Sequence, residues 1–292
     1  MTGPLLLTGA NGRTGRAILK SMAAASIPVR VFIRDEAKAD ALLDLGASEV
    51  AVGNLEAPET LRAAVEGAAK VLHIGPPMYA GELEASLALI DASMKAGVAH
   101  FIYYSVMHPL SRIIRHHRLK LEVEELLINS GLTHTILQPS RYMQHLEPIW
   151  PKVVSEGVHA MPFDVTRKFN VVDLADLADA CAVVAGSDRY NFGTYELAGP
   201  EALSQEDMAA IISEVIGRPV EARAVPIDEM KARARAAGAS DDRVEQMEIM
   251  NRHYDAHGFR SNSVVLECLL GRPANTYRSY VERVAAEKGA AL

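Results

Sequence analysis

Cysteine is scarce in this chain of 292 residues, which has only Cys181 and Cys268. The two lie far apart and lack metal-ligand spacing, which excludes a disulfide framework and a cysteine-based zinc site and suits a reducing compartment. Both are expected in the core. Basic charge is also in deficit, with 30 Lys and Arg against 37 Asp and Glu and a net charge of −7. Because the cations are dispersed as well as outnumbered, nothing here draws nucleic acid electrostatically. No apolar run reaches membrane-spanning length, and the amino terminus shows no basic segment followed by an apolar core and a cleavage site. A cytoplasmic protein without a membrane anchor or a metal is therefore expected. Aromatic residues make up only 5% of the chain, with a single Trp, so the place where they gather is informative.

What the chain does contain is a regular alternation. Beta-rich runs at Val29 to Ile33, Glu49 to Val52, Val71 to Ile74, Phe101 to Ser105 and Thr135 to Leu137 are separated by helical patterns. That rhythm predicts an α/β fold with a doubly wound parallel sheet. After Pro139 the alternation fails: Pro148, Pro151 and Pro162 interrupt helices, and Tyr142, Met143, Trp150, Met161 and Phe163 cluster. These five are expected to form an apolar substrate wall. Asp173 to Val184 resumes a helical pattern, Tyr195 to Ala198 reads as a strand, and Ser204 with Asp207 reads as a capped helix start. The expected organisation is a nucleotide-binding domain from residues 1–139 and 165–198. Residues 140–164 and 199–292 then form a smaller, mainly helical, discontinuous lobe.

The stretch Gly9-Ala10-Asn11-Gly12-Arg13-Thr14-Gly15 follows the apolar run Pro4 to Thr8 and precedes Arg16 to Leu19. A strand, a glycine turn and a helix start in that order make a cradle for the pyrophosphate of a dinucleotide. The glycines let the backbone approach, and the helix N-terminus meets the negative charge. Cofactor choice is written at the end of the second strand. Arg34 there, helped by Arg13, favours NADP(H), because a guanidinium donates paired hydrogen bonds to a 2′-phosphate. Asp35 has two readings, a cap for the next helix or the ribose acid of an NAD enzyme. At later strand ends Asn54 is placed for adenine, and Gly75, Pro76 and Pro77 form a stiff turn near the ribose and phosphates. Pro139, closing the last of these runs, is counted with the cofactor contacts.

Ser105 ends the fifth strand, and His116 and Lys120 stand one turn apart on one face of the next helix. In that arrangement Lys120 holds the nicotinamide ribose, Ser105 bonds a substrate carbonyl and His116 relays a proton. The bland alternative pairs Lys120 with Glu124 at i+4.

Three sets of residues carry a resemblance: Leu7 to Gly15, Val29 to Asp35, and Lys120 ahead of Ser130 to Pro139. Together with Tyr195 to Pro200, Gly217-Arg218-Pro219 and Gly271 to Tyr277, they resemble the NmrA-like family of atypical short-chain dehydrogenases over nearly the whole chain. The resemblance implies a Rossmann domain, a small carboxyl-terminal lobe and NADP(H) at the glycine turn. The chain departs from ordinary short-chain dehydrogenases by carrying His116 where they place a Tyr four residues before the Lys, so the phenolic acid is missing. The expectation is an NADPH-dependent reductase of a small conjugated or aromatic substrate such as a quinone, enone, dye or phenylpropanoid-like compound. The alternative is a redox-sensing regulator that binds NADP(H) without turnover, displaying the mixed-charge stretch Asp228 to His253 to a partner. A third reading is an epimerase or dehydratase. A homodimer and a regulatory protein partner both stay open.

Overall fold

Seven parallel strands form the main sheet of the protein, described here from a computed structural model that covers residues 3–289. The chain runs β1 (Leu5–Leu7), α1 (Arg13–Ala24), β2 (Val29–Ile33), α2 (Ala39–Leu43), β3 (Glu49–Val52), α3 (Pro58–Val65) and β4 (Lys70–Ile74). It continues through α4 (Glu82–Ala96), β5 (His100–Tyr104), α5 (Arg115–Asn129) and β6 (His134–Pro139). The next stretch holds β7 (Arg141–Tyr142), α6 (Trp150–Glu156), β8 (Val158–Met161) and β9 (Phe169–Val172). After it come α7 (Leu174–Ala185), β10 (Gly193–Leu197), β11 (Ala202–Leu203), α8 (Gln205–Ile216) and β12 (Glu221–Ala224). The chain ends with α9 (Ile227–Ala236), α10 (Asp241–His257), α11 (Val264–Leu270) and α12 (Tyr277–Lys288).

The main sheet has the order β10-β6-β5-β4-β1-β2-β3. Every pairing in it is parallel, as strands separated by crossover helices require. Leu5, Leu6 and Leu7 pair with Val29 to Val31 on one side and with Lys70 to Leu72 on the other. Strand order therefore reverses beside β1, and the crevice for ligands in such a sheet opens at the carboxyl ends of β1 and β4. The strands are apolar on both faces because helices cover both, and one large cluster packs Leu6, Phe32, Val71, Phe101, Tyr103 and Ile136 against Leu61, Leu89, Val123 and Leu127 from the helices.

The chain divides into two compact units. The first comprises residues up to Pro139, Leu174–Leu197 and Cys268–Gly271; the second comprises Ser140–Asp173, Ala198–Glu267 and the residues from Arg272 onward. The return to the first unit comes at Leu174, later than the residue 165 expected from the sequence. The reason is β9, whose apolar Phe169-Asn170-Val171-Val172 serves a small sheet of the second unit, pairing with β7 and β11. A second small sheet joins β12 to β8, so among the described residues the helical second unit also carries five short strands.

Helix starts follow the sequence signals. Ser204 and Asp207 form a reciprocal capping box at α8, with the Asp207 amide donating to Ser204 Oγ (3.1 Å) and the Ser204 amide to Asp207 (2.8 Å). The mixed charges of α9 and α10 pair with one another, Lys231 and Arg252 with Glu248, Arg233 with Glu229, and Arg235 with Asp241. That pattern describes a solvated helical face. Cys181 is fully buried and Cys268 is exposed, which corrects the expectation of two core cysteines. Among the described residues no helix is long and apolar enough to cross a membrane, and no cluster of three or more His, Cys, Asp or Glu is arranged to hold a metal.

Candidate nucleotide and substrate site

The turn after β1 is stapled across the sheet's reversal point. The Thr8 amide donates to Leu72 O (3.1 Å), and Thr8 Oγ1 accepts from the Ile74 amide (2.9 Å) while lying 2.8 Å from His73 Nδ1. Gly9 takes φ +65° with its absent Cβ pressed toward Ile74 O, a conformation side chains rarely adopt. At Gly15 a Cβ would stand 2.3 Å from Gly9 O, so only glycine lets α1 start this close to the turn. Gly12, exposed, is the N-cap of α1, with no side chain capping it and no acid in the first turn. The leading amides of that helix and the positive end of its dipole are thus turned to whatever lies above the turn, which fits a pyrophosphate. Asn11 Oδ1 and O are held by Arg16 (2.8 and 3.2 Å), a turn-bracing residue the sequence reading missed.

At the end of β2, Arg34 is exposed and Asp35 is engaged, its carboxylate accepting from the Ala37 amide (3.1 Å) at the start of a short helical turn. Of the two readings of Asp35, the structure displays the cap. Asn54 likewise closes its own turn, accepting from the Glu56 amide (3.2 Å). Tyr79, just past Pro76 and Pro77, reaches Glu56 with its hydroxyl (3.1 Å) and so bridges the loops after β3 and β4.

Gly75 is glycine for an internal reason. A Cβ there would stand 2.2 Å from the carboxylate of Glu82, a buried residue at the start of α4 that nothing in the sequence pattern singled out. Glu82 receives Lys120 Nζ (2.9 Å) and the Tyr103 hydroxyl (2.8 Å), and Lys120 also donates to Tyr104 O (3.3 Å) at the end of β5. Burial alone would push the Glu82 carboxyl up; Lys120, His73 and the two hydrogen bonds instead hold it below the usual carboxylate range. Lys120 is therefore anchored at the carboxyl edge of the sheet by Glu82, not by Glu124.

Glu124 serves a second group. It accepts the Ser105 hydroxyl and both oxygens receive Gln138 Nε2 (3.0 and 2.9 Å), while burial raises its pKa. Ser105, 4% exposed, thus has its hydroxyl directed into the protein. Burial, with His117 and Lys120 beside it, lowers the His116 pKa to about 3, so His116 is a neutral imidazole at neutral pH, and its Nδ1 is buried without a partner. Pro139 is buried at the end of β6 and its carbonyl accepts from the Met107 amide (2.9 Å).

In the second unit, Tyr142, Met143, Met161 and Phe163 line one pocket together with Arg141, His159 and Phe169. Trp150 is not in that lining: it is 2% exposed, and its indole N–H donates to Gly289 O (3.1 Å). The single Trp therefore has a packing partner of its own within the unit.

The seven-stranded parallel sheet, its reversal beside β1 and the glycine turn placed there define a Rossmann-type nucleotide-binding fold. The profile of the NmrA-like family matches residues 1–289, and the chain belongs to that family. An NAD(P)H azoreductase of Xenophilus azovorans is 27% identical over 98% of this chain and 100% of its own length. Among solved structures, the quinone oxidoreductase QOR2 of Escherichia coli in complex with NADPH superposes with a TM-score of 0.84 at 24% identity, covering 96% of this chain and 99% of that one. The triphenylmethane reductase of a Citrobacter species gives 0.85 at 24% identity, covering 97% and 99%.

Proposed function

We propose that the protein is an NADPH-dependent oxidoreductase acting on a small conjugated or aromatic compound. The observation that carries this reading is the uncapped start of α1, free of acids in its first turn, behind a glycine turn at the sheet's reversal point. The full-length similarity to an azoreductase supports a reductase over a module that only binds nucleotide. Bound nicotinamide supplies the hydride; the protein supplies placement and electrostatics. Gly9, Gly12 and Gly15 admit the pyrophosphate to the α1 amides, and Arg34, with its aspartate neighbour engaged in a cap, meets the 2′-phosphate. Lys120, fixed by Glu82 and Tyr104 O, turns the donor it otherwise spends on a long 3.5 Å contact with the Tyr103 hydroxyl to the nicotinamide ribose. His116 is uncharged at neutral pH, so it transfers a proton only through its neutral forms, and Ser105 reaches a substrate carbonyl only after leaving Glu124. Protonation of the reduced substrate accordingly falls to water or to a group on the substrate. Tyr142, Met143, Met161 and Phe163 give the substrate an apolar wall.

Anaerobic mixing of the protein with NADPH and a panel of quinones, enones, azo dyes and triphenylmethane dyes tests the reading. Substrate-dependent loss of nicotinamide absorbance is expected. Silence across the panel, combined with tight NADP(H) binding, would overturn it in favour of a sensor.

A further inference from the structure

The aromatic pocket of the second unit holds a cation with no counter-ion among the described residues. Arg141 comes from β7, where it pairs with Val171 of β9. Its guanidinium carbon lies 4.9 Å from the Phe163 ring centroid and 5.5 Å from that of Phe169. Its hydrogen-bonding contact is a long one of 3.8 Å to Met161 Sδ, and no carboxylate pairs with it among the described residues. None of the residues lining the pocket is acidic. Burial lowers the Arg141 pKa to about 10, which leaves the group charged at neutral pH. Contact with two aromatic faces offsets part of the cost of desolvating a guanidinium and leaves most of its five N–H donors unused.

Two further groups around the same pocket have unused hydrogen-bonding capacity. His159 is 3% exposed and its Nδ1 has no partner; burial and the neighbouring Arg141 charge lower its pKa to about 4, so it is neutral. Gln205 spends Nε2 on Phe163 O (2.8 Å) and leaves Oε1 without a partner. Buried polar atoms are normally satisfied, so these two in the lining of one pocket, beside a guanidinium with donors to spare, call for a ligand or ordered water. The pocket has about 30 Å³ for water-sized groups, the scale of an acid head rather than of a whole dye.

The geometry points to Arg141 and His159 as the receptor for an anionic head group, a carboxylate or sulfonate, on an aromatic substrate whose ring stays at the more exposed part of the lining, beside Tyr142 and His145. The anion supplies the counter-charge that Arg141 lacks, the fork of guanidinium donors matches its oxygens, and the His159 tautomer with Nδ1–H adds a third donor. Gln205 Oε1 then takes a water or a hydroxyl on the ligand. This assignment refines the reductase reading above, on which it rests for the aromatic body of the ligand, by specifying an acidic arene.

The test compares methyl red, an azo dye with a carboxylate, with its methyl ester. Binding of each to the full-length protein is measured without NADPH by equilibrium dialysis, so that the result does not depend on turnover. The wild type is expected to prefer the acid by about tenfold or more, the scale of one charge-assisted pairing. Arg141→Met, checked for folding by circular dichroism, is expected to bring the ratio of the two affinities near unity. Equal affinities in the wild type, or a preference that survives in Arg141→Met, would overturn the assignment and leave Arg141 as packing for the two rings. If the Met variant fails to fold, wild-type protein is treated with phenylglyoxal with and without methyl red. Protection of Arg141 by the acid and not by the ester supports the assignment, and equal modification refutes it. Turnover of the neutral ester with NADPH is assayed separately; its absence counts against the reductase reading and leaves the anion pocket standing.

Discussion

Two buried clusters, one in each unit, treat charge in opposite ways. Under the nucleotide turn, Lys120 is matched by Glu82, Glu82 by Tyr103, and His73 by Thr8 on one ring nitrogen and Ser86 on the other (2.8 and 3.0 Å). In the second unit, Arg141 and His159 face one pocket with no carboxylate to match them among the described residues: Arg141 reaches Met161 Sδ at 3.8 Å, and His159 Nδ1 has no partner. A network that closes on itself is a scaffold: its polar groups hold one another in place whether or not a ligand is present. A pocket with donors left over is a receptor, since only a ligand or solvent completes it. The difference explains why a nucleotide-binding unit can be recognised by a stable backbone turn, while substrate choice is left to side chains with valences to spare.

The largest effect should come from making the first unit resemble the second. Glu82→Gln strips Lys120 of its buried counter-charge, and removing one partner of such a pair costs about 3–5 kcal/mol. Chemical denaturation of that variant should show this loss. Arg141→Met, judged by the same measurement, should lie within about 1 kcal/mol of the wild type or above it, because exchanging an uncompensated cation for an apolar side chain of similar size removes a desolvation cost. Equal losses in the two variants would erase the contrast between scaffold and receptor.

A smaller effect separates the two histidines. Both His73 and His159 have pKa values lowered to about 4 by burial, from an ordinary value of 6.5. The unfolded chain therefore binds more protons than the folded one between those values, so each histidine makes stability rise with pH across that window and fall as the pH drops from about 6.5 toward 4. His73→Leu and His159→Leu should each flatten that acid-side decline. They should differ at pH 8, where His73→Leu leaves Thr8 and Ser86 without their ring partner and costs about 1–3 kcal/mol, whereas His159→Leu removes an already unpartnered nitrogen and costs less. Melting curves from pH 4.5 to 8 would show both features, and identical costs at pH 8 would contradict the contrast.

The sequence carried the sheet and the nucleotide turn because both are local. The run Leu5 to Leu7, Gly9 at positive φ and Gly15 against Gly9 O are consequences of a dozen consecutive residues. The exposure of Arg34 and the cap made by Asp35 are likewise settled within a few positions. Glu82 was illegible because its role depends on Lys120, 38 residues away, and on Tyr103. A Glu opening a helix ordinarily reads as a favourable charge at the dipole's positive end. The buried acid beneath Gly75 had one oblique signal, a glycine with no positive φ to explain it. The aromatic cluster after Pro139 was visible as composition, but which members share a pocket depends on β7 pairing with β9 across some thirty residues. Trp150 fell outside because its partner is the backbone of Gly289.

The smallest structural disturbance tests the cofactor claim most directly. Arg34 is exposed and bonded to nothing among the described residues, so Arg34→Ala should leave the denaturation midpoint unchanged, as surface changes away from special contacts do. Its effect should appear only with the phosphorylated dinucleotide. Losing charge-assisted hydrogen bonds to a 2′-phosphate should weaken NADPH binding by about tenfold or more, while NADH, which offers that side chain no phosphate, should bind as before. Isothermal titration of both dinucleotides with both proteins gives four affinities. A parallel loss for NADPH and NADH would mean that Arg34 shapes the turn rather than reading the phosphate. Unchanged NADPH affinity would pass the discrimination to Arg13 at the start of α1.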